Sequence, residues 1–131
     1  MEKEFIPYEQ ALALKELGFD DECFGFYSIN NQHYDNGTLH VSTENMFSYN
    51  IQTQKQLEFC VSAPLYQQAF RWFREKHNLN SFVVDSKSYN WYFDINDMIK
   101  DDVISEILYF NSYEEAELEC LKKLIEIVKT K

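Results

Sequence analysis

Two hydrophobic rhythms run through the chain, one near 3.6 residues and one of two, and the points where they change over divide it into elements. Three segments carry the longer rhythm. The first spans about residues 7–17: Pro7 suits a helix start, where its missing N–H has no intrahelical partner, and Gly18 is placed to stop the helix in left-handed backbone. Its apolar residues divide between Ala11, Leu14 and Leu17 on one side and Tyr8 and Leu12 on another, which predicts cover on two sides. The second, about 64–78, gathers Leu65, Tyr66, Ala69, Phe70, Trp72, Phe73 and His77 into an arc of roughly 160° at ~100° per residue. Gln67, Gln68, Arg71, Arg74, Glu75 and Asn78 fill the opposite side, the pattern of a helix lying across a sheet. The third opens on a capping box, Ser112 with Glu115, and carries Glu114, Glu115, Glu117 and Glu119 near the positive end of its dipole. Its apolar positions span roughly 200°, wider than one sheet face covers. Another helix or a second chain must bury the excess; a homodimer through Leu118, Leu121, Ile125 and Val128 is one such arrangement.

The shorter rhythm fills residues 23–61 and returns before the third helix. Phe24 and Phe26 alternate with Gly25 and Tyr27, and Asn36-Gly37 signals a tight hairpin because both residues tolerate positive φ. Leu39 and Val41 continue beyond it; Phe47, Tyr49 and Ile51 then share one face of a segment over 46–52, and Leu57, Phe59 and Val61 repeat the pattern after a turn over 53–56. Such alternation predicts an antiparallel meander wet on one side. Further strands are expected over about 81–85 and 89–95, with Trp91, Phe93 and Ile95 inward, and a polar loop over 96–102 with Met98 or Ile99 buried. Residues 103–110 fit a strand or a short helix, and strand is the preferred reading. The sum is an α+β domain spanning residues 1–131: an antiparallel sheet of about five or six strands with three helices mainly on one face.

Composition narrows the function classes. With 131 residues, 45% hydrophobic and 17% aromatic, the chain is long and apolar enough for one packed domain. No stretch approaches the ~20 apolar residues of a membrane span, and the acidic start Met1-Glu2-Lys3-Glu4 is unlike a secretory signal. The net charge of −10 opposes direct contact with nucleic-acid phosphates or anionic lipid headgroups. It serves solubility, or in a sharper reading mimics nucleic acid to occupy a protein that binds it. Cys23, Cys60 and Cys120 are odd in number and without zinc spacing, as in a reducing compartment, so a cytoplasmic setting is expected.

Few residues point to chemistry. Arg71 and Arg74 could grip a phosphate or carboxylate, although a solvated helix face whose arginines pair with local carboxylates is the preferred explanation. The run Tyr89-Asn90-Trp91-Tyr92-Phe93 suggests a stacking site, but strand alternation accounts for it with Tyr92 outward; an outward row of Tyr27, Tyr49 or Tyr92 would suit a protein interface. His33, His40 and His77 have no metal spacing, Asp20-Asp21-Glu22 lacks the pattern of a calcium loop, and three dispersed glycines cannot cradle a phosphate. A Cys–His nucleophile such as Cys60 with His40 is the one enzymatic arrangement to test, as the core of a small Cys/His or carboxylate enzyme. No cofactor, metal or catalytic residue is expected, and Arg71, Arg74 and Tyr92 are the candidate binding residues.

Three strings add a resemblance: residues 5–19 (Phe5-Ile6-Pro7-Tyr8 through Gly18-Phe19), residues 63–76 (Ala63-Pro64-Leu65-Tyr66 through Glu75-Lys76) and residues 112–125 (Ser112-Tyr113-Glu114-Glu115 through Leu124-Ile125). Together, over roughly a third of the chain, they resemble a group of small uncharacterised proteins of Bacteroides-type bacteria and their tailed phages or prophages. The resemblance implies a cytosolic, mobile-element setting and carries no functional residue with it. The expectation is a non-enzymatic, protein-binding accessory factor, phage- or prophage-encoded, acting on a host or phage protein.

Overall fold

The structure, a computed structural model, describes residues 2–50, 59–104 and 108–131. Among these residues the fold is α+β, with six antiparallel strands in two three-stranded sheets and three α-helices. Its contacts group into two compact units, Met1–Gln67 and Gln68–Lys131.

The first unit contains α1 (Tyr8–Glu16) and strands β1 (Gly25–Ser28), β2 (Leu39–Val41) and β3 (Cys60–Ala63), in sheet order β2-β1-β3. Pro7 caps α1 in extended backbone, and Gly18 beyond its end adopts φ +96°, as its lack of a Cβ allows. Ala11 and Leu14 are the buried side of the helix, which packs on β3; Tyr8, Leu12 and Leu17 are half-buried. Ile6, Leu14, Phe19 and Val61 are fully enclosed in the core. The Asn50 side chain ties two parts of this unit together, donating to the Phe19 carbonyl at 2.8 Å and accepting from the Ser62 amide at 2.9 Å.

Three expectations change here. Asn36-Gly37 is not a two-residue turn: β1 and β2 are joined by residues 29–38, in which Gly37 takes φ +83° and the Asn36 side chain accepts from the Asn30 amide at 2.8 Å. Over 46–50 only Phe47 pairs, in a single bridge to Cys23, so no strand forms there; Ile51, Gln52, the turn over 53–56 and Leu57 lie outside the described residues. Tyr27 and Tyr49 are buried, and Tyr27 donates its hydroxyl to the Ile6 carbonyl at 2.6 Å. The inward phase of β1 is Gly25 and Tyr27, with Phe26 half-buried, so neither tyrosine belongs to an outward row.

The second unit holds most of α2 (Tyr66–His77), together with β4 (Leu79–Asp85), β5 (Trp91–Asp97), β6 (Asp102–Val103) and α3 (Tyr113–Lys129), in sheet order β4-β5-β6. The apolar arc of α2 is as its sequence predicts: Ala69, Trp72 and Phe73 are buried while Arg71, Arg74, Glu75 and Lys76 are exposed. Asn78 ends it at φ +55°. The β4–β5 hairpin pairs Leu79 with Asp97 through Asp85 with Trp91. Because cross-strand partners share a face, Ser81, Val83, Phe93 and Ile95 form one side of the sheet and Phe82, Val84, Tyr92 and Asp94 the other. Helix α3 packs on β4 and β5, and Ser112 accepts the Glu115 amide at 3.1 Å as its N-cap.

Neither Met98 nor Ile99 is buried; they are 46% and 77% exposed. Strand β5 runs on to Asp97, which takes the inward phase instead. Its carboxylate accepts the Ile99 and Lys100 amides at 3.1 and 3.2 Å, and the Lys100 amide above all holds it below the usual carboxylate range, against the opposing effect of burial. In 103–110 the described parts are extended: Val103 ends β6, Ile104 donates to the Ile95 carbonyl, and Phe110 bridges Trp91. Ile107 lies outside the described residues.

Candidate functional site

A concave site lined by exposed tyrosines lies in the second unit, beside the turn of the β4–β5 hairpin. Residues 86–90 make that turn, and the sequence Ser-Lys-Ser-Tyr-Asn locks it with its own polar groups. Lys87 and Asn90 adopt φ of +65° and +75°. The Asp85 carboxylate accepts the Lys87 amide at 2.9 Å, and the Ser86 hydroxyl accepts the Tyr89 amide at 2.8 Å while donating to the Asn90 carbonyl at 2.7 Å. Such local side-chain bonds do what an Asn-Gly pair does in a shorter hairpin.

The segment ahead of α3 is fastened to the same turn. Trp91 and Phe110 exchange two backbone hydrogen bonds of 3.0 and 2.7 Å, and the Asn90 amide group reaches the Asn111 side-chain oxygen at 3.3 Å. The pairing sets Tyr109 between two rings of the hairpin. Its centroid lies 5.6 Å from that of Tyr89 and 6.0 Å from that of Tyr92, nearly perpendicular to the latter at 74°. Tyr89 is 67% exposed and Tyr109 48%. Asp85, Ser86, Phe93 and Asp94 complete a cleft of about 590 Å³ around the three tyrosines. A second cleft nearby, lined by Phe93, Leu108, Phe110 and residues of α3, is smaller at about 200 Å³. Its charged rim is self-paired, Lys122 with Glu119 at 3.1 Å and Lys123 with Glu126 at 3.5 Å, so it offers less to a charged ligand.

Of the expected binding residues, Tyr92 lines the larger cleft, whereas Arg71 and Arg74 stand exposed on α2 and do not. Sequence reasoning missed Tyr89 and Tyr109 as site residues; the aromatic density of 89–93 was the available signal, but only the Trp91–Phe110 bridge brings Tyr109 to it. The proposed dimer face on α3 is reduced, because Leu121 and Ile125 are buried and only Leu118 and Val128 remain half-buried. A stable interface takes on the order of 800 Å² per partner, far beyond what those two side chains offer.

Burial is the largest influence on all three thiols. Burial, with the Asp21 charge second, pushes Cys23 up to about 12; burial likewise takes Cys120 to about 12 and raises Cys60. Cys60 pairs with Ser28 on one side of β1 and His40 with Phe26 on the other. Their backbones are thus two strand spacings apart, about 10 Å, with a two-residue offset as well. His40 instead stacks on Phe26, with ring centroids 4.8 Å apart. His77 packs against Trp72 at 4.8 Å, and desolvation, with Lys131 contributing, lowers its pKa. Among the described residues no group of three His, Cys, Asp or Glu side chains is placed to hold a metal ion, and no helix is long and apolar enough to cross a membrane. No protein-family model, curated protein or solved structure matches the chain.

Proposed function

We propose that this chain is a non-enzymatic protein-binding module and that the tyrosine-lined cleft is its docking surface. The observation that carries this reading is the exposure of Tyr89, on a turn that hydrogen bonds hold in place, and of Tyr109, on the segment bridged to that turn. Large aromatic rings left in water, each ending in a hydroxyl, are the side chains that dominate protein interfaces, where one residue supplies apolar area and a hydrogen bond together. Their rigidity matters equally, because a pre-ordered surface loses little entropy on binding. A setting in phage or prophage biology, with a host or phage protein as partner, fits the same reading.

The experiment is affinity capture from the cells that make the chain, comparing wild type with Tyr89→Ala/Tyr109→Ala. Both positions are exposed, so the double variant is expected to keep the wild-type circular dichroism spectrum. A discrete partner held by the wild type and lost by the folded variant is the expected result. Equal retention by both would remove the cleft as the docking surface.

A further inference from the structure

We propose, resting on the reading of the cleft as a docking surface, that its occupant is an arginine side chain from a basic segment of the protein partner. Charge and shape in the cleft point the same way. Asp85 and Asp94 line it, and among the described residues its lining includes no lysine or arginine. Asp85 accepts one backbone amide, from Lys87, which leaves its carboxylate with further acceptor capacity. Asp94 shares a sheet face with Tyr92, and the faces of aromatic rings carry the negative part of a quadrupole, which attracts a cation within about 6 Å of the ring centroid. Tyr92 and Tyr109 meet at 74°, so they form two walls of a corner rather than a flat stack.

Arginine uses both features where lysine uses one. A guanidinium is planar and weakly hydrated, lies flat on a tyrosine face, and presents paired N–H donors in the plane that a carboxylate accepts two at a time. An ammonium is a point charge that holds its water more tightly. The cleft volume of about 590 Å³ admits a whole arginine side chain with part of its neighbours. Around it the chain carries a net charge of −10, which draws basic segments toward the surface before any contact forms. Hydrogen bonds within the turn, from the Lys87 amide to Asp85 and from the Tyr89 amide to Ser86, hold it in the absence of a partner, so binding does not have to order it.

The test is a selection from a random peptide-display library on the intact chain, with Tyr89→Ala and Tyr109→Ala run in parallel as folded controls. The enriched peptides are then synthesised in three forms: with arginine, with lysine in its place, and with citrulline, the neutral isostere. Enrichment of arginine-bearing peptides that is lost on both variants is expected. Their binding should be about two- to fivefold weaker with lysine and weaker still with citrulline. If the selected peptides depend on Tyr109 but bind equally well with citrulline, the arginine assignment is overturned while the cleft remains a docking surface. If no selected peptide depends on Tyr89 or Tyr109, both readings fall.

Discussion

Trp72 shows how the aromatic wealth of this chain is divided. Its ring is 4% exposed and packs edge-on to Phe73 and His77, so Trp72→Ala leaves a cavity and is expected to cost about 3–5 kcal/mol in equilibrium unfolding. A loss below about 1 kcal/mol, the range of surface changes, would place the ring outside the core. The buried thiols give a second residue-level expectation. Cys23 and Cys120 ionise at about 12 in the folded chain against 9.0 when free of it, and burial raises Tyr27 and Tyr49 above 10.0. Between those values the unfolded chain releases protons that the folded chain keeps, so stability is whole below about pH 8 and falls as pH rises through 9 and beyond. Urea midpoints measured from pH 7 to 10.5 should decline over that window, and less steeply for Cys23→Ala/Cys120→Ala. A flat profile would mean that the thiols are solvated. Trp72 was legible from spacing alone, since helical geometry dictates which residues share its arc. Tyr27 and Tyr49 were not: alternation shows that neighbours differ in face, but the identity of the inner face depends on what packs there, and Tyr27 is held inward by the Ile6 carbonyl.

Among the elements, the helices were the more readable because their start and stop signals are local. Pro7, Gly18 and Ser112 with Glu115 each act within a few residues of themselves. Connections between strands are settled by partners distant in sequence, which is why Asn36-Gly37 suggested a shorter turn than the one that forms. Gly37 is nonetheless restricted twice over. It has φ +83°, and a Cβ there would meet the Tyr8 ring at 3.0 Å, whereas at Gly18, φ +96°, a Cβ would meet nothing within 4 Å. Alanine at Gly18 should therefore cost only the left-handed penalty of about 1–2 kcal/mol, and alanine at Gly37 measurably more. Equal losses in denaturant unfolding would show that the Tyr8 ring moves aside freely. The cleft was the least legible feature of all: Tyr92 could be singled out from its run, but Tyr89 owes its position to the Ser86 hydroxyl and Tyr109 to the pairing of Trp91 with Phe110.

For the whole molecule, composition sets the outline: enough apolar residues for packed cores, with a net charge of −10 and three glycines, from which no phosphate or nucleotide loop is expected. The α+β fold with six antiparallel strands and three helices agrees with that outline, and the strands divide into two sheets of three, β2-β1-β3 and β4-β5-β6. The aromatic side chains are divided between core and surface: Phe19, Trp72 and Phe73 are enclosed, whereas Tyr34, Phe47, Phe59 and Phe82 are exposed, as are Tyr89 and Tyr109. What sets the last two apart is that they meet Tyr92 around one cleft, a clustering that needs a reason. Docking of a partner supplies one. The most direct measurement is amide hydrogen exchange of the chain, alone and saturated with its captured partner. Docking at the cleft should slow exchange over residues 85–94 and 108–110 and leave α1 and β1 unchanged. Slowed exchange confined to α1, β1 or the outer face of α3, with residues 85–94 exchanging as in the free chain, would contradict it.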